Sequence, residues 1–522
     1  MKRLLTLLIM AAAIVSMGAC QEKESGGKKS GASKLSVVTD DIVTVPYTGQ
    51  EGILIEFICD GEWEASLKSD TPDWVSFQGA SSGSGNGRLT VDAAANSEKV
   101  ARTATLEISA GELSAAVQIR QDGKKLDITF THPSIAFTAQ QFAKIKAAYA
   151  AGAPSLKGAV DYILVRGGAG TYDPNSVSTE KKQEKTDMST LYKSIKGPAV
   201  LAMHRAVLYW ITNDDSRKDE FANGAIDILY NWAVACKDVD YPIISSTDLE
   251  EPSTGAGMYL ARGAWPFFVV YDCLKGTKYI SAEQDAVIVS WFRNIEKAIK
   301  ASMNAWANND YFNKQYYQNH LAAHMWGLIS IGYALDDASL VQYAIDSEDN
   351  PRDFYELIEG CIFMEGDTPC SREAATSKAP QTGEIYDRYR HETGPLKGLQ
   401  YTSLTLQILS CAARTCYNNG IDMYAYTAPT GENLRLAYEF YAPFYEKVDA
   451  SLQGGYYAGE TERLTKAGDM KGLFELGLNA YPDSEPIQKV IGSIAKREEN
   501  KVQMHDQLGY TRLYSIDADA TN

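Results

Sequence analysis

Basic residues are in deficit along this 522-residue chain: 50 Lys and Arg stand against 67 Asp and Glu, for a formal net charge of −17. Recognition of nucleic acid begins with a basic face, so the deficit argues against that partner. It does not argue against an anionic polymer, because a cleft can carry Arg, Lys and His against an acidic exterior and only the local field meets the ligand. Cysteine is scarce too. Apart from Cys20, the residues Cys59, Cys236, Cys273, Cys361, Cys370, Cys411 and Cys416 are an odd number scattered through apolar segments, with neither a disulfide framework nor zinc-ligand spacing. No strong internal repeat is present, and the apolar run from Leu4 to Val15 is too short to span a membrane. What remains is a chain with 45% apolar residues, enough for more than one domain and a large core.

Lys2 and Arg3 precede that short apolar run, the pattern of a secretory signal. It ends at Ser16-Met17-Gly18-Ala19-Cys20, which resembles a bacterial lipobox, and the resemblance implies that Cys20 is lipidated and becomes the first mature residue. Gln21-Glu22-Lys23-Glu24 and a Gly/Ser/Lys stretch follow as a polar tether. An acidic run there resembles the surface-export signal of Bacteroidetes lipoproteins, implying an outer-membrane lipoprotein displayed at the cell surface, with the periplasmic face as the alternative.

From Leu35 to about Gln121 short apolar runs such as Leu54-Ile55-Glu56-Phe57-Ile58 and Ala104-Thr105-Leu106-Glu107-Ile108 are separated by Gly, Ser, Asn and Asp turns, an all-β pattern of immunoglobulin-like sandwich size. Trp63-Glu64-Ala65-Ser66, Asp73-Trp74-Val75-Ser76, the loop Ser81 to Gly87, Arg102-Thr103-Ala104 and Gln118-Ile119-Arg120-Gln121 resemble the BACON domain. That resemblance implies weak glycan binding or a stand-off spacer. Trp63 and Trp74 read as core rings in preference to stacking platforms, since one large ring fills the space between two sheets.

After Lys124 the period becomes helical. Thr138-x-x-Gln141 reads as a capping box ahead of a Phe142, Ile145, Ala148 stripe, and further helix starts fall near Pro198, Lys218, Ala261, Ser281, Asn319, Pro351, Pro395, Gly431, Glu460 and Glu485. Helices of this length on short loops, without a repeat, predict a mainly α fold: an α/α toroid, or incomplete barrel. The polar segment Asp173 to Met188 is long for a connector and reads as a rim loop or an insertion.

Tyr316-Tyr317-Gln318-Asn319-His320-Leu321-Ala322-Ala323-His324-Met325-Trp326 leads into an apolar helix, so Asn319 and His320 lie near its first turn, where free backbone N–H groups favour an anionic ligand. With Asp387-Arg388-Tyr389-Arg390-His391 and Leu399-Gln400-Tyr401, this stretch supplies the groups needed to break a uronic acid polymer by β-elimination: donors at the C6 carboxylate, a base at the adjacent proton and an acid at the leaving oxygen. Gln-Asn-His followed by Trp resembles the Asn-Asn-His motif of α/α-barrel alginate lyases, polysaccharide lyase families five and thirty-eight. The resemblance covers most of the chain from His132 onward.

It implies that Asn319 and a nearby Arg neutralise the carboxylate, that His320 takes part in proton abstraction and that Tyr401 supplies acid or base. The Arg is left open between Arg388 and Arg390. His391, Lys397, Tyr316 and Gln318 are candidate substrate contacts, and His204 and Trp265 either face the cleft or pack between helices. No cofactor is implied. His320 and His324 stand i, i+4 but lack the Glu of a zincin and any third ligand, so no metal is expected and His324 reads as packing behind His320.

The expected organisation is a signal peptide over 1–19, a lipidated Cys20 and tether over 20–34, a BACON-like sandwich over 35–123 and a toroidal lyase domain over 126–522. Its expected partners are an anionic polysaccharide, alginate first, a membrane reached through the lipid anchor, and other glycan-utilisation proteins. Two other classes compete. An α/α-barrel glycoside hydrolase needs two carboxylates across the scissile bond, for which Glu365, Asp367, Glu384 and Asp387 are available. A non-catalytic glycan-binding lipoprotein would use Trp63, Trp74 and the helical cleft, and would not need Asn-His, Arg and Tyr together.

Overall fold

The computed structural model describes residues 32–69, 73–177, 188–241, 255–307, 317–350, 352–394, 396–466, 472–495 and 511–519. The signal segment, Cys20, most of the tether, Tyr316 and residues 178–187 of the expected rim loop lie outside them. The chain divides into two compact units, Met1–Lys124 and Lys125–Asn522.

Alternation builds the first unit. In β3 (Gln50–Cys59) Ile53, Ile55, Phe57 and Cys59 face inward, and in β8 (Arg102–Ala110) Ala104, Leu106, Ile108 and Ala110 do the same. A four-stranded sheet β1-β3-β7-β5, with β1 Leu35–Val37, β5 Val75–Phe77 and β7 Gly87–Ala93, faces a five-stranded sheet. The latter runs β2-β9-β8-β4-β6, with β2 Ile42–Val45, β4 Glu62–Ser69, β6 Ser82–Ser84 and β9 Leu113–Gln121. All pairings are antiparallel except β2 with β9.

Trp74 is buried between the sheets, donates from Nε1 to Ser69 Oγ at 2.8 Å and has the Arg102 guanidinium 4.6 Å over its ring. Trp63 packs edge-on to Phe57 at 4.9 Å. A Cβ on Gly87 would fall 1.9 Å from the Phe57 ring, so that close approach requires glycine.

The second unit is helical. It comprises α1 (Ala139–Ala150), α2 (Pro154–Ala169), α3 (Met188–Ile211), α4 (Asp215–Cys236), α5 (Ala256–Leu274), α6 (Ala282–Ala307), α7 (Asn319–Ala334) and α8 (Ala338–Ile345). After these come α9 (Phe354–Cys361), α10 (Arg390–Thr393), α11 (Gly398–Asn418), α12 (Leu434–Lys447), α13 (Thr461–Lys466), α14 (Leu473–Ala480), α15 (Glu485–Ala495) and α16 (Ile516–Asp519).

Helices α3, α5, α7 and α11 pack side by side as an inner layer, with α4 and α6 outside them, in an open α/α toroid and not a closed barrel. Inner position explains composition: every residue of α5 is buried except half-buried Tyr259, and every residue of α7 except half-buried His320.

The Thr138–Gln141 capping box forms in both directions. Pro198, read from sequence as near a helix start, lies inside α3. The buried stripe Leu191, Ile195, Ala199, Ala202 continues through it, and that burial outweighs the roughly 3 kcal/mol a helix-interior proline costs. All seven described cysteines are buried and none forms a disulfide.

Candidate active site

Helix α7 begins at Asn319 with Gln318 at its N-cap, whose side chain makes no capping bond. The Gln318 carbonyl accepts from Leu321 N at 3.0 Å and Ala322 N at 3.3 Å. The Asn319 N–H donates to Asp387 Oδ2 at 2.8 Å, and Asn319 Nδ2 donates to Asp387 Oδ1 at 3.0 Å and to Gln318 Oε1 at 3.2 Å. This corrects the expectation of a helix start free for an anionic ligand: the chain's own carboxylate already sits there, as the positive end of the helix favours. Asp387 also accepts from Thr405 Oγ1 at 2.7 Å. Burial pushes its carboxyl upward, while Arg390 and the three donated hydrogen bonds pull it back.

His320 is half-buried, with its ring 5.0 Å from that of Trp306, and its Nδ1 has no hydrogen-bond partner among the described residues. Burial first, then the neighbouring His324, Arg390 and Arg262, bring its pKa down to about 3. At neutral pH it is an uncharged imidazole, and so low a pKa makes it a weak base unless a neighbouring anion raises it. One turn on, His324 is fully buried, both ring nitrogens lack partners among the described residues, and burial likewise lowers it to about 3. Gly257 makes room for it, since a Cβ there would lie 2.8 Å from His324 Nε2. Among the described residues no group of three or more His, Cys, Asp or Glu is arranged to hold a metal ion.

Arg390 opens the short helix α10, its guanidinium between the rings of Tyr389 at 4.9 Å and Tyr401 at 4.8 Å. Its Nε has no partner among the described residues. Tyr401 lies in the first turn of α11, so Asn319, His320, Arg390 and Tyr401 converge from three elements. A neutral base, a fixed cation and a phenol are thereby assembled where charge would develop during proton abstraction. Lys397 is the N-cap of α11, one turn before Tyr401. His391 Nδ1 lies 2.7 Å from Glu460 Oε1, and Glu460 accepts as well from Gly398 N and Leu399 N, both at 2.8 Å.

Four sequence candidates find other places. Arg388 is fully buried, paired with Glu384 and, at 3.1 Å, with Glu373, and lies 3.7 Å over the Tyr456 ring. With its charge consumed inside the protein, it is not the carboxylate-binding Arg. Trp265 is buried with its ring 4.9 Å from that of Trp326, packing α5 on α7, and leaves no face for a sugar. His204 is buried beside Gly167 of α2, and burial lowers its pKa to about 4, so it too packs between helices. Gln318 is buried against Asn319, second to it and not a surface contact.

Three of the four carboxylates offered for a hydrolase are similarly engaged, and the fourth, Glu365, is exposed. Glu384 pairs with Arg388, Asp387 holds Asn319, and Asp367 accepts from Met364 N at 2.7 Å.

One cation escaped the sequence reading. Arg262, the one basic residue of the mainly apolar α5, donates to Tyr192 Oη at 3.2 Å, lies 5.1 Å from that ring, and carries an Nε without a partner among the described residues. Its charge reaches His320. The available signal is a lone Arg within a helix buried on all sides, which an inner toroid helix retains only where it meets a cleft or a partner. Two surface cavities, about 390 Å³ around Tyr417, Tyr424, Arg435 and Tyr481 and about 640 Å³ around Leu126, Glu296, Lys300 and Tyr343, share no residue with the cluster.

Comparison with known proteins agrees with this arrangement. The family model described as "Putative binding domain, N-terminal" (BACON) matches residues 63–122, and that described as Alginate lyase matches residues 169–450. No curated protein sequence matches the chain. Among solved structures, an alginate lyase from Bacteroides ovatus aligns over 73% of this chain and 99% of its own, at 14% identity and a TM-score of 0.50. Alginate lyase A1-III from Sphingomonas species A1 aligns over 63% and 76%, at 14% identity and a TM-score of 0.42. At 14% identity the likeness to the Bacteroides ovatus structure is one of fold. The Alginate lyase match, however, spans more than half of the sequence and contains Arg262, Asn319, His320, Arg390 and Tyr401, so this chain is a polysaccharide lyase belonging to the Alginate lyase family.

Proposed function

We propose that the enzyme cleaves a uronic acid polysaccharide, most specifically alginate, by metal-independent β-elimination that leaves a 4,5-unsaturated product. The observation that carries this reading is the Arg390 guanidinium stacked on Tyr401 beside the Asn319–His320 start of α7. Arg390, Arg262 and the Asn319 carboxamide, once one of its hydrogens passes from Gln318 Oε1 to the substrate, flank the C6 carboxylate and stabilise the enediolate that forms when the neighbouring proton leaves. Neutral His320 accepts the proton from C5, and as the C4–O bond breaks the Tyr401 hydroxyl gives its proton to the leaving oxygen. Lys397 and His391 extend the contacts along the polymer. Alginate is supported by the family and by the folds it shares with named alginate lyases.

On the sequence alone, the chain is further read as exported and anchored through a lipidated Cys20, displayed at the outer-membrane surface beside other glycan-utilisation proteins.

Incubation with mannuronan, guluronan, mixed alginate and glucuronan, followed by ultraviolet absorbance of the conjugated double bond, tests the reading. Alginate is expected to produce the chromophore and Tyr401→Phe to abolish it while the protein remains folded and binds oligosaccharide. New reducing ends without absorbance would identify a hydrolase instead.

A further inference from the structure

Most described helices of the second unit that have a side-chain cap draw it from a neighbouring residue: Thr138 for α1, Asp214 for α4, Asp337 for α8, Asp353 for α9 and Asn433 for α12. The two that bring Asn319, His320 and Tyr401 into the cleft do not. At α7 and α11 the N-cap residues, Gln318 and Lys397, make no side-chain cap bond. Their leading N–H groups are taken by carboxylates far away in sequence: Asn319 N by Asp387, and Gly398 N and Leu399 N by Glu460. Both carboxylates are completely buried.

Each also holds a polar side chain of the candidate site. Asp387 takes one hydrogen of the Asn319 carboxamide, Glu460 lies 2.7 Å from His391 Nδ1, and Thr405, whose hydroxyl donates to Asp387, ties it to α11 with its Oγ1 3.1 Å from the Tyr401 carbonyl.

We infer that Asp387 and Glu460 are positioning residues of the elimination, two buried carboxylate clamps that set the first turns of α7 and α11 and orient Asn319 and His391 toward the substrate. A local cap would fix each helix only to the loop before it. A cap contributed by another segment fixes it to the segment that carries Arg390, so helix start, carboxamide and guanidinium keep one mutual geometry. Asp387 is the stronger case. Three donors converge on it, from the first residue of α7 and from the second turn of α11, and its own segment places Arg390 three residues later. Its charge also lies in the field of Arg390, so the anion balances a cleft that otherwise collects Arg390, Arg262 and the uncharged His320 and His324.

This inference rests on the lyase reading, and the test separates the two. Full-length wild type is assayed on the uronate polymers first. Asp387→Asn and Glu460→Gln, which keep shape and remove charge, are then compared for kcat, KM, pH–rate profile and thermal midpoint. Misplacing reacting groups by about an ångström costs on the order of a hundredfold in rate, so kcat is expected to fall by about tenfold to a hundredfold with KM changed by less than about threefold. The Asp387→Asn profile should also move to lower pH, since every group in the cleft then titrates in a more positive field. A purely structural carboxylate would lower the thermal midpoint and scale the profile without displacing it.

If Asp387→Asn does not fold, Thr405→Val removes one donor and leaves both helix clamps; it should lower kcat severalfold at unchanged KM. A wild type that forms no unsaturated product on any polymer overturns the reading and the proposal together. An active wild type whose folded variants keep its kcat and its pH profile overturns the proposal alone.

Discussion

Arg388 and Arg390 stand two residues apart and meet opposite fates, which no property of the residue type foretells. The turn Tyr386–Tyr389 directs Arg388 inward onto Glu373 and Glu384, while Arg390 begins α10 and lies against Tyr401. Removing Arg388 therefore leaves two buried carboxylates without their cation, a loss of about 3–5 kcal/mol for a broken buried pair. Replacing Arg390 with Met keeps a stem to pack on the two rings and removes only the charge. Arg388→Met is expected to lower the thermal midpoint by several degrees or prevent folding, and Arg390→Met to keep the midpoint within a few degrees while the elimination rate falls by about a hundredfold or more. Melting curves beside the absorbance assay decide it. A stable Arg388→Met protein without activity would exchange the two assignments.

At the scale of the element, α7 shows what the sequence makes legible and what it hides. Its start at Asn319 can be read because Gln318-Asn319-His320 is followed by an unbroken apolar run, and the i, i+4 spacing of His320 and His324 follows from helical geometry. Its cap cannot be read, because Asp387 arrives from 68 residues away. Arg262 is hidden for a similar reason: one Arg in an apolar run carries no motif until packing shows which face meets the cleft.

The two imidazoles give α7 a measurable pH signature. Above pH 6.5 both are uncharged folded or unfolded and contribute no difference. As pH falls below the unfolded value of about 6.5, the unfolded chain binds protons that the folded chain takes up only near pH 3, so stability is lost on acidification at up to about 1.4 kcal/mol per pH unit for fully buried His324 and less for half-buried His320. Replacing His324 with Gln removes one such ring. The drop in urea-unfolding free energy between pH 7 and pH 5 should then be smaller than in the wild type by about 2 kcal/mol, whatever the baseline stability of the variant. Parallel pH dependences in the two proteins would mean that His324 is protonated in the folded state.

For the whole molecule, the change from alternation to helical stripes distinguishes a sandwich from a toroid because the two periods bury different sets of residues. The structure adds that the two units have separate cores: one gathers Ile55, Phe57, Leu106 and Val117, the other Trp265, Trp326, Leu406 and their neighbours, with no residue in common. Each has the apolar interior of an independent folding unit. The segment between them is not a neutral linker throughout. Leu126 N donates to Gln342 Oε1 at 2.8 Å, and Leu126, Ile128 and Phe130 pack on the helical core. His132 then bridges Asp272 at 2.6 Å and Asp336 at 2.9 Å, while Ser134 N and Ile135 N donate to the same Asp272. Residues 125–522 produced alone should therefore fold with the melting midpoint of the helical unit and keep the full chain's kcat on soluble oligosaccharide. Residues 134–522 should lose several degrees, because three apolar side chains and the His132 bridge go together and the buried Asp272 keeps only its two backbone donors. Calorimetry of the two fragments beside the full chain makes the comparison. If residues 125–522 lose activity while remaining folded, the sandwich takes part in turnover on small substrates; if both fragments melt alike, the segment from Leu126 to His132 adds nothing to the toroid.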